Sequence, residues 1–308
     1  MIDILDFKQA RHANSWRRVN VKHPLDIYIG MDVTGRYAFE YTGRFHINKS
    51  IRSSSLIELT HYKQKDDRIS MVLSLTDHKY LRQFCTFCND IVNSTNTLKS
   101  EDISEYETIC NILVAWQKMF RIQTTLLSEN EIKGLIGELL FLRNELIPIY
   151  GVSRAISAWT GPDATKKDFS INETWYEIKT IDTARNSVRI SSIEQLESDV
   201  AGQLIIYRME KMASEFSGIT INSLVESLML IIDLFTDKEL FMEKLAHTRY
   251  RFDPLYDSYV YDVKSIDRFW VSTDFPRLKR KNLHKAINSA TYELTISELS
   301  DYKVRLWS

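Results

Sequence analysis

Asp168-Phe169-Ser170-Ile171-Asn172-Glu173-Thr174-Trp175-Tyr176-Glu177-Ile178-Lys179 is the stretch whose reading decides the fold. Ser170, Ile171, Thr174, Trp175, Tyr176 and Ile178 favour extended backbone, and Asn172-Glu173 is the one tight connection available between them. A turn centred there sets Ile171 against Thr174 and, counting outward, Asp168 opposite Glu177. Cross-strand partners have Cβ atoms about 4.5–5.5 Å apart, so two carboxylates in that register repel unless a cation sits between them. Lys179 returns to the face of Glu177, because strand side chains alternate. Two carboxylates and an ammonium converging on a point suit a Mg²⁺-dependent phosphodiesterase, since hard divalent cations take oxygen ligands.

Upstream, Gly134-Leu-Ile-Gly-Glu138-Leu-Leu-Phe-Leu142 is an apolar helical run interrupted by one acid. Ser128 and Glu131 form a capping box that starts this helix, and Pro148 with Gly151 ends it. Glu138 is expected to be buried or half-buried, where its charge calls for a metal or a lysine. Gly134 and Gly137 leave room for a close backbone approach.

With these residues in this order, the chain resembles the PD-(D/E)XK nuclease superfamily. The order is a helix with Glu138, a strand Ala155–Trp159, Asp168 opening the next strand, then Glu177-Ile178-Lys179. More narrowly, Gly-Leu-Ile-Gly-Glu-Leu, the Ala-Trp-x-Gly-Pro segment and Ile190-Ser-Ser-x-x-Gln195-Leu196 are similar to a bacterial family of unknown function called PD-(D/E)XK motif proteins. The resemblance implies an α/β (α+β) fold: a restriction-endonuclease-like central mixed sheet with flanking helices, preceded by a β-rich N-terminal lobe. It also implies Mg²⁺ or Mn²⁺ as cofactor, held by Asp168 and Glu177 with the Ile178 carbonyl as a third ligand. Glu138 would reach the same ion through water or hold a second one, Lys179 would position the attacking water, and Gln195 would orient that water or a phosphate. The partners it implies are DNA and the methyltransferase, ATPase or helicase-like proteins of restriction-type defence loci, and a homodimer is among the assemblies it allows.

Composition sets limits. The 308 residues hold 44% apolar and 26% charged side chains, which describes a globular protein with ample core. Forty basic against forty-one acidic residues give a net charge of −1, so any DNA contact must come from a local patch. The densest basic run is Arg277, Lys279, Arg280, Lys281 and Lys285; Lys166 and Lys167, beside Asp168, rank second. Met1 to Arg18 lacks the apolar core of a signal peptide, and the longest apolar runs fall well short of ~18 clean residues, so the expectation is a cytoplasmic protein with no membrane span.

The division expected is a β-rich lobe with helices over 1–125, a nuclease core over 126–210, and a helical and β region over 211–308 packing on that core. Asp26–Asp32, Tyr37–Tyr41 and Ser70–Leu75 read as strands with Gly30, Gly35 and Gly43 at turns, and Ile103–Phe120 reads as a helix. Ser191 with Glu194 predicts a short helix carrying Gln195, followed by the strand Gln203–Tyr207. Ser223-x-x-Glu226 and Thr236-x-x-Glu239 predict helices over Leu224–Phe235 and Leu240–His247, and Tyr256–Val263, Arg268–Ser272 and Tyr292–Ile296 read as strands. No glycine-rich phosphate loop occurs.

Each sharp reading has a plainer rival. Cys85-x-x-Cys88 with Cys110 has zinc spacing, but Leu81, Phe84, Cys85, Cys88, Ile91 and Val92 form one amphipathic stripe that puts both thiols in a core. Asp163 beside Pro162 is a literal Pro-Asp and competes with Asp168 for the metal position; aspartate is a common turn former, and Asp168 has the cross-strand partner. Glu177 and Lys179 alone would be a surface pair of little energetic weight. Trp159 and Trp175 read as core residues, and the basic run as a DNA contact or a solvated loop. The alternative to an endonuclease is a catalytically silent DNA-binding or scaffold subunit.

Overall fold

The structure, a computed structural model, describes residues 1–47, 51, 53–96, 105–119, 125–163 and 165–304. The chain divides into two compact units. The first comprises Met1–Leu126 and Met229–Pro254, the second Leu127–Leu228 and Leu255–Ser308. The stretch 211–308 is thus shared between them.

In the first unit, α1 (Ile4–Lys8) precedes β1 (Ser15–Arg18), β2 (Asp26–Met31), β3 (Tyr37–Gly43), β4 (Ile57–Lys63) and β5 (Ile69–Leu75). These strands form an antiparallel sheet in the order β1-β2-β3-β5-β4. Gly30 lies inside β2 instead of at a turn: opposite it, the Ser15 carbonyl would lie 1.9 Å from any added Cβ, so the glycine admits β1. Helices α2 (Leu81–Thr95) and α3 (Glu105–Met119) follow; the ends of the expected helix Ile103–Phe120 lie outside the described residues. Cys85, Cys88 and Cys110 are buried free thiols, and burial pushes the Cys88 thiol well up, as suits packing. The returning segment closes this core. Phe252 stacks on Trp116 at 5.7 Å between ring centroids, and Lys238 pairs with Asp90, which also accepts from Trp116 Nε1 at 2.7 Å.

The second unit opens with α4 (Glu129–Phe141), started by the reciprocal Ser128–Glu131 box. One π-helical turn (Leu142–Leu146) and the short α5 (Ile147–Tyr150) prolong it; Pro148 fits inside the first turn of α5, and Gly151, at φ +77°, ends the run. Residues Val152–Ala158 then form a helix, α6, where a strand Ala155–Trp159 was expected. Ala155, Ile156, Ala158 and Trp159 are buried while Ser153, Arg154 and Ser157 are exposed, a helical spacing and not an alternating one. Only Trp159 bridges a strand, pairing with Phe169.

Next come β6 (Phe169–Ile171), β7 (Thr174–Asp182), β8 (Ser187–Ile190) and β9 (Gly202–Met212). Helix α7 (Ile221–Ile231) starts earlier than expected, because Thr220 and Ser223 cap it reciprocally; the helix Phe235–His247, which belongs to the first unit, has Leu234 at its N-cap and no side-chain cap. The strands expected over Tyr256–Val263 and Arg268–Ser272 are one, β10 (Val260–Val271), bent by a bulge between Val263 and Ser265, and β11 (Tyr292–Thr295) is last. The central sheet runs β10-β9-β7-β6, with β7 and β9 parallel and its other pairs antiparallel, while β8 and β11 pair separately. This is a mixed α+β architecture consistent with a restriction-endonuclease-like fold. One face of the sheet receives α4: a Cβ on Gly137 would lie 2.5 Å from Thr180 Cγ2. The other face carries Trp175, Ile181, Leu204, Ile206 and Phe269, packed on Val188, Ile190 and Leu294 of the β8–β11 pair.

Candidate active site

The hairpin adopts the register read from the sequence. Ile171 pairs with Thr174, Ser170 with Trp175 and Phe169 with Tyr176, across a turn in which Asn172 takes a left-handed φ of 53°. Asp168 stands one step before the ladder, next to the position of Glu177, and its Oδ2 accepts from the Ile178 N–H at 2.7 Å. The Asp168 carbonyl accepts from the N–H groups of Thr160 and Gly161, both at 2.9 Å, which fixes the strand start from its other edge.

Glu138 reaches the same place from α4, its Oε2 accepting from Trp159 Nε1 at 2.7 Å. Gly161 fits against both acids. A Cβ there would lie 3.3 Å from Glu138 Oε2 and 3.4 Å from Asp168 Oδ1. Glu177 is 1% exposed, and Lys179 Nζ lies 2.8 Å from its Oε1. This is an ion pair without hydrogen-bond alignment, so neither carboxylate oxygen of Glu177 has an aligned donor among the described residues.

The charges respond to this crowding. Burial, then the charge of Asp168, pushes Glu177 up to about 8. The same two causes push Glu138 well above the usual carboxylate range, against the pull of the Trp159 hydrogen bond. Burial also raises Asp168, although Lys179 and the Ile178 N–H oppose it. Burial alone would lower Lys179, but Glu177 and Asp168 more than offset it and hold its ammonium charged. Three carboxyl groups whose values are raised beside one lysine form an assembly short of positive charge.

The donor set fits a hard cation: carboxylate oxygens, two of them without aligned donors, beside a strand carbonyl at Ile178. It is not a closed cage, because among the described residues no three His, Cys, Asp or Glu side chains group tightly enough to hold an ion. An ion here would keep several waters. Asp163, the rival, is exposed in the 3₁₀ turn Gly161–Asp163, its N–H donating to the Thr160 carbonyl.

Gln195 sits in a single 3₁₀ turn, Ile193–Gln195, instead of a helix, and its Oε1 accepts from the Ser191 N–H at 2.7 Å. Glu194, read as a capping partner, instead takes Arg280 Nη2 at 2.9 Å. Lys167 donates to the carbonyls of Glu194, Gln195 and Glu197 at 2.8, 2.6 and 3.1 Å, and lies 3.8 Å above the Trp175 ring. Burial brings its ammonium down to about 8. Arg277 donates to the carbonyls of Leu196 and Ser198, and the Arg280 N–H to Glu197 Oε1. Lys167, Arg277 and Arg280 are therefore engaged in holding the 194–198 turn. Lys279 donates to the Thr273 carbonyl, while Lys166, Lys281 and Lys285 are exposed.

Sequence reasoning missed the Trp159 donor, the close fit of Gly161 and the staple formed by Lys167. A buried indole N–H needs an acceptor, which was the available signal for the first.

Over residues 5–297 the chain matches the family described as "Putative PD-(D/E)XK family member, (DUF4420)". The chain belongs to this family. A PD-(D/E)XK family member is expected to have a nuclease-like fold, which the order Glu138, Asp168, Glu177, Lys179 had implied. No curated protein and no solved structure matches the chain. Among the described residues no helix is long and apolar enough to cross a membrane.

Proposed function

We propose that this chain is a metal-dependent DNA endonuclease of a bacterial restriction-type or anti-phage defence system, hydrolysing phosphodiester bonds. The observation that carries the reading is the crowding of half-buried Glu138 and Asp168 with buried Glu177 beside Lys179, an arrangement that costs stability unless it serves a cation and a charged reaction. Asp168, Glu177 and the Ile178 carbonyl, with Glu138, would hold Mg²⁺ or Mn²⁺, which supplies Lewis-acid polarisation of the phosphate and an acidified water. Lys179 donates to the attacking water and offsets charge developing on the phosphoryl oxygens. Trp159 fixes the Glu138 carboxylate, and the Ile178 N–H fixes that of Asp168. Gln195, whose Oε1 accepts from the Ser191 N–H, holds its own turn.

A second reading is a catalytically silent DNA-binding or scaffold subunit, favoured by the Lys179–Glu177 ion pair, which already gives that carboxylate a counter-charge. Nicking of supercoiled plasmid with Mg²⁺, Mn²⁺ or EDTA separates the two. The expected result is metal-dependent nicking lost in Asp168→Asn and Lys179→Met, both still folded by circular dichroism. Nicking at the wild-type level by Asp168→Asn would sink the endonuclease assignment.

A further inference from the structure

With Lys167, Arg277 and Arg280 occupied by their own turn, a chain of net charge −1 needs another surface to hold a polyanion. The sequence from Lys8 to Lys22 contains Lys8, Arg11, Arg17, Arg18 and Lys22 and no acidic residue. In the first unit this segment runs from the end of α1 through the edge strand β1 into the β1–β2 turn. Gly30 lets β1 lie close on β2, so the segment is built into the sheet.

A groove of about 370 Å³ opens along it, lined among others by Arg11, His12, Trp16 and Arg17, with Asp6 at one wall. Asp6 pairs with Arg17 at 2.5 Å and Asp26 with Arg18 at 2.7 Å, so these two arginines are braced. Lys8, Arg11 and Lys22 are exposed and have no ion pair among the described residues. Of these three cations Arg11 lines the groove, while Lys8 and Lys22 belong to the same segment outside the lining. Exposed cations along a segment whose groove contains an indole suit a nucleic-acid backbone: phosphates release counterions against the cations, and an unstacked base finds an aromatic face.

We infer that the groove along Lys8–Lys22 is an anchoring site of the first unit for the DNA phosphate backbone, separate from the carboxylates of the second unit. This rests on the reading that DNA is the substrate. Duplex and single strand present the same phosphates; Trp16 distinguishes them, since stacking requires an unpaired base.

The test is fluorescence anisotropy with labelled duplex and single-stranded oligonucleotides in EDTA, from 50 to 200 mM salt, so that cleavage does not interfere. Lys8→Ala/Arg11→Ala/Lys22→Ala removes three exposed cations with no ion pair to lose. It should weaken binding on the order of 10- to 100-fold near 0.1 M salt and flatten the log K against log salt slope by about 2–3. Lys281→Ala/Lys285→Ala should leave both unchanged. Selective loss of single-strand binding in Trp16→Ala would identify the single strand as the occupant, and equal binding in Trp16→Ala the duplex.

Wild-type affinity and slope in the triple variant would overturn the inference while leaving nicking, and its loss in Asp168→Asn, to stand. A wild type that binds no DNA at 50 mM salt would overturn both readings.

Discussion

Trp159 Nε1 donates to Glu138 Oε2 at 2.7 Å, so a core tryptophan is also the orienting group of a half-buried carboxylate. Trp159→Phe keeps most of the packing and deletes only this donor. Because burial and Asp168 push Glu138 towards its neutral form, and an ordinary intramolecular hydrogen bond contributes about 0.5–1.5 kcal/mol, the expected result is a loss in that range in urea unfolding of the metal-free protein. Mn²⁺-dependent nicking should need more metal to reach half its maximum. An unchanged metal requirement would show that the Glu138 orientation does not matter to the reaction.

Glu177 predicts a pH dependence with a definite sign. Its folded value near 8 lies above the usual 4.5, so between those two values the folded chain holds a proton that the unfolded chain has released. Stability of the metal-free protein is therefore greatest below about pH 4.5 as far as this group decides it, and falls as pH rises towards 8, with a slope of up to about 1.4 kcal/mol per pH unit. Glu138 and Asp168, raised by the same burial, add in the same direction. Urea unfolding in EDTA at pH 6 and pH 8 checks this, and Glu177→Gln should show a shallower slope. Mn²⁺ should raise the wild-type melting temperature and leave that of Glu177→Gln flat; an equal rise in both would place the ion elsewhere.

The packing of α4 on the sheet gives a prediction independent of chemistry. Gly137→Ala would bring a methyl group to 2.5 Å from Thr180 Cγ2, an overlap that overpacking data put at about 1–3 kcal/mol. Thr180→Ser removes that methyl and should restore much of the loss. Additive destabilisation in the double variant would mean that some other contact limits the helix.

Arg280 and Lys281 are neighbours with different expected roles. Arg280 joins the 194–198 turn through Glu194 and also donates to the carbonyls of Ile287 and Asn288, whereas Lys281 is exposed. Arg280→Ala should lower the melting temperature and speed proteolysis within residues 191–201. Lys281→Ala should do neither. Equal behaviour of the two variants would mean the turn is held without Arg280.

The legible parts of the fold were those written locally. Ser128 and Glu131 announced the start of α4 three residues apart, and Asn172-Glu173 announced the hairpin register that sets Asp168 beside Glu177. Ala155–Trp159 was misread because five small and apolar residues satisfy either period, and only the burial of Ala155 with Ala158 separates them. The engagement of Lys167, ranked second among the DNA contacts, is illegible because an ammonium capping three main-chain carbonyls leaves no mark on the side chains of Glu194, Gln195 and Glu197. The membership of Met229–Pro254 in the first unit was illegible for a related reason. Phe252 meets Trp116, and Lys238 meets Asp90, across separations that no periodicity records.

That last arrangement governs how the protein is born. The first unit lacks the Lys238 counter-charge until residue 238 has left the ribosome and the Phe252 stack until residue 252 has, and the central sheet of the second lacks β10 until residue 271 has followed. A nascent chain stalled before Lys238 thus carries two unfinished cores, and Asp90 is left in its core without the lysine that pairs with it. The two units therefore cannot be finished one after the other, because the first waits on Met229–Pro254, which follow most of the second along the chain.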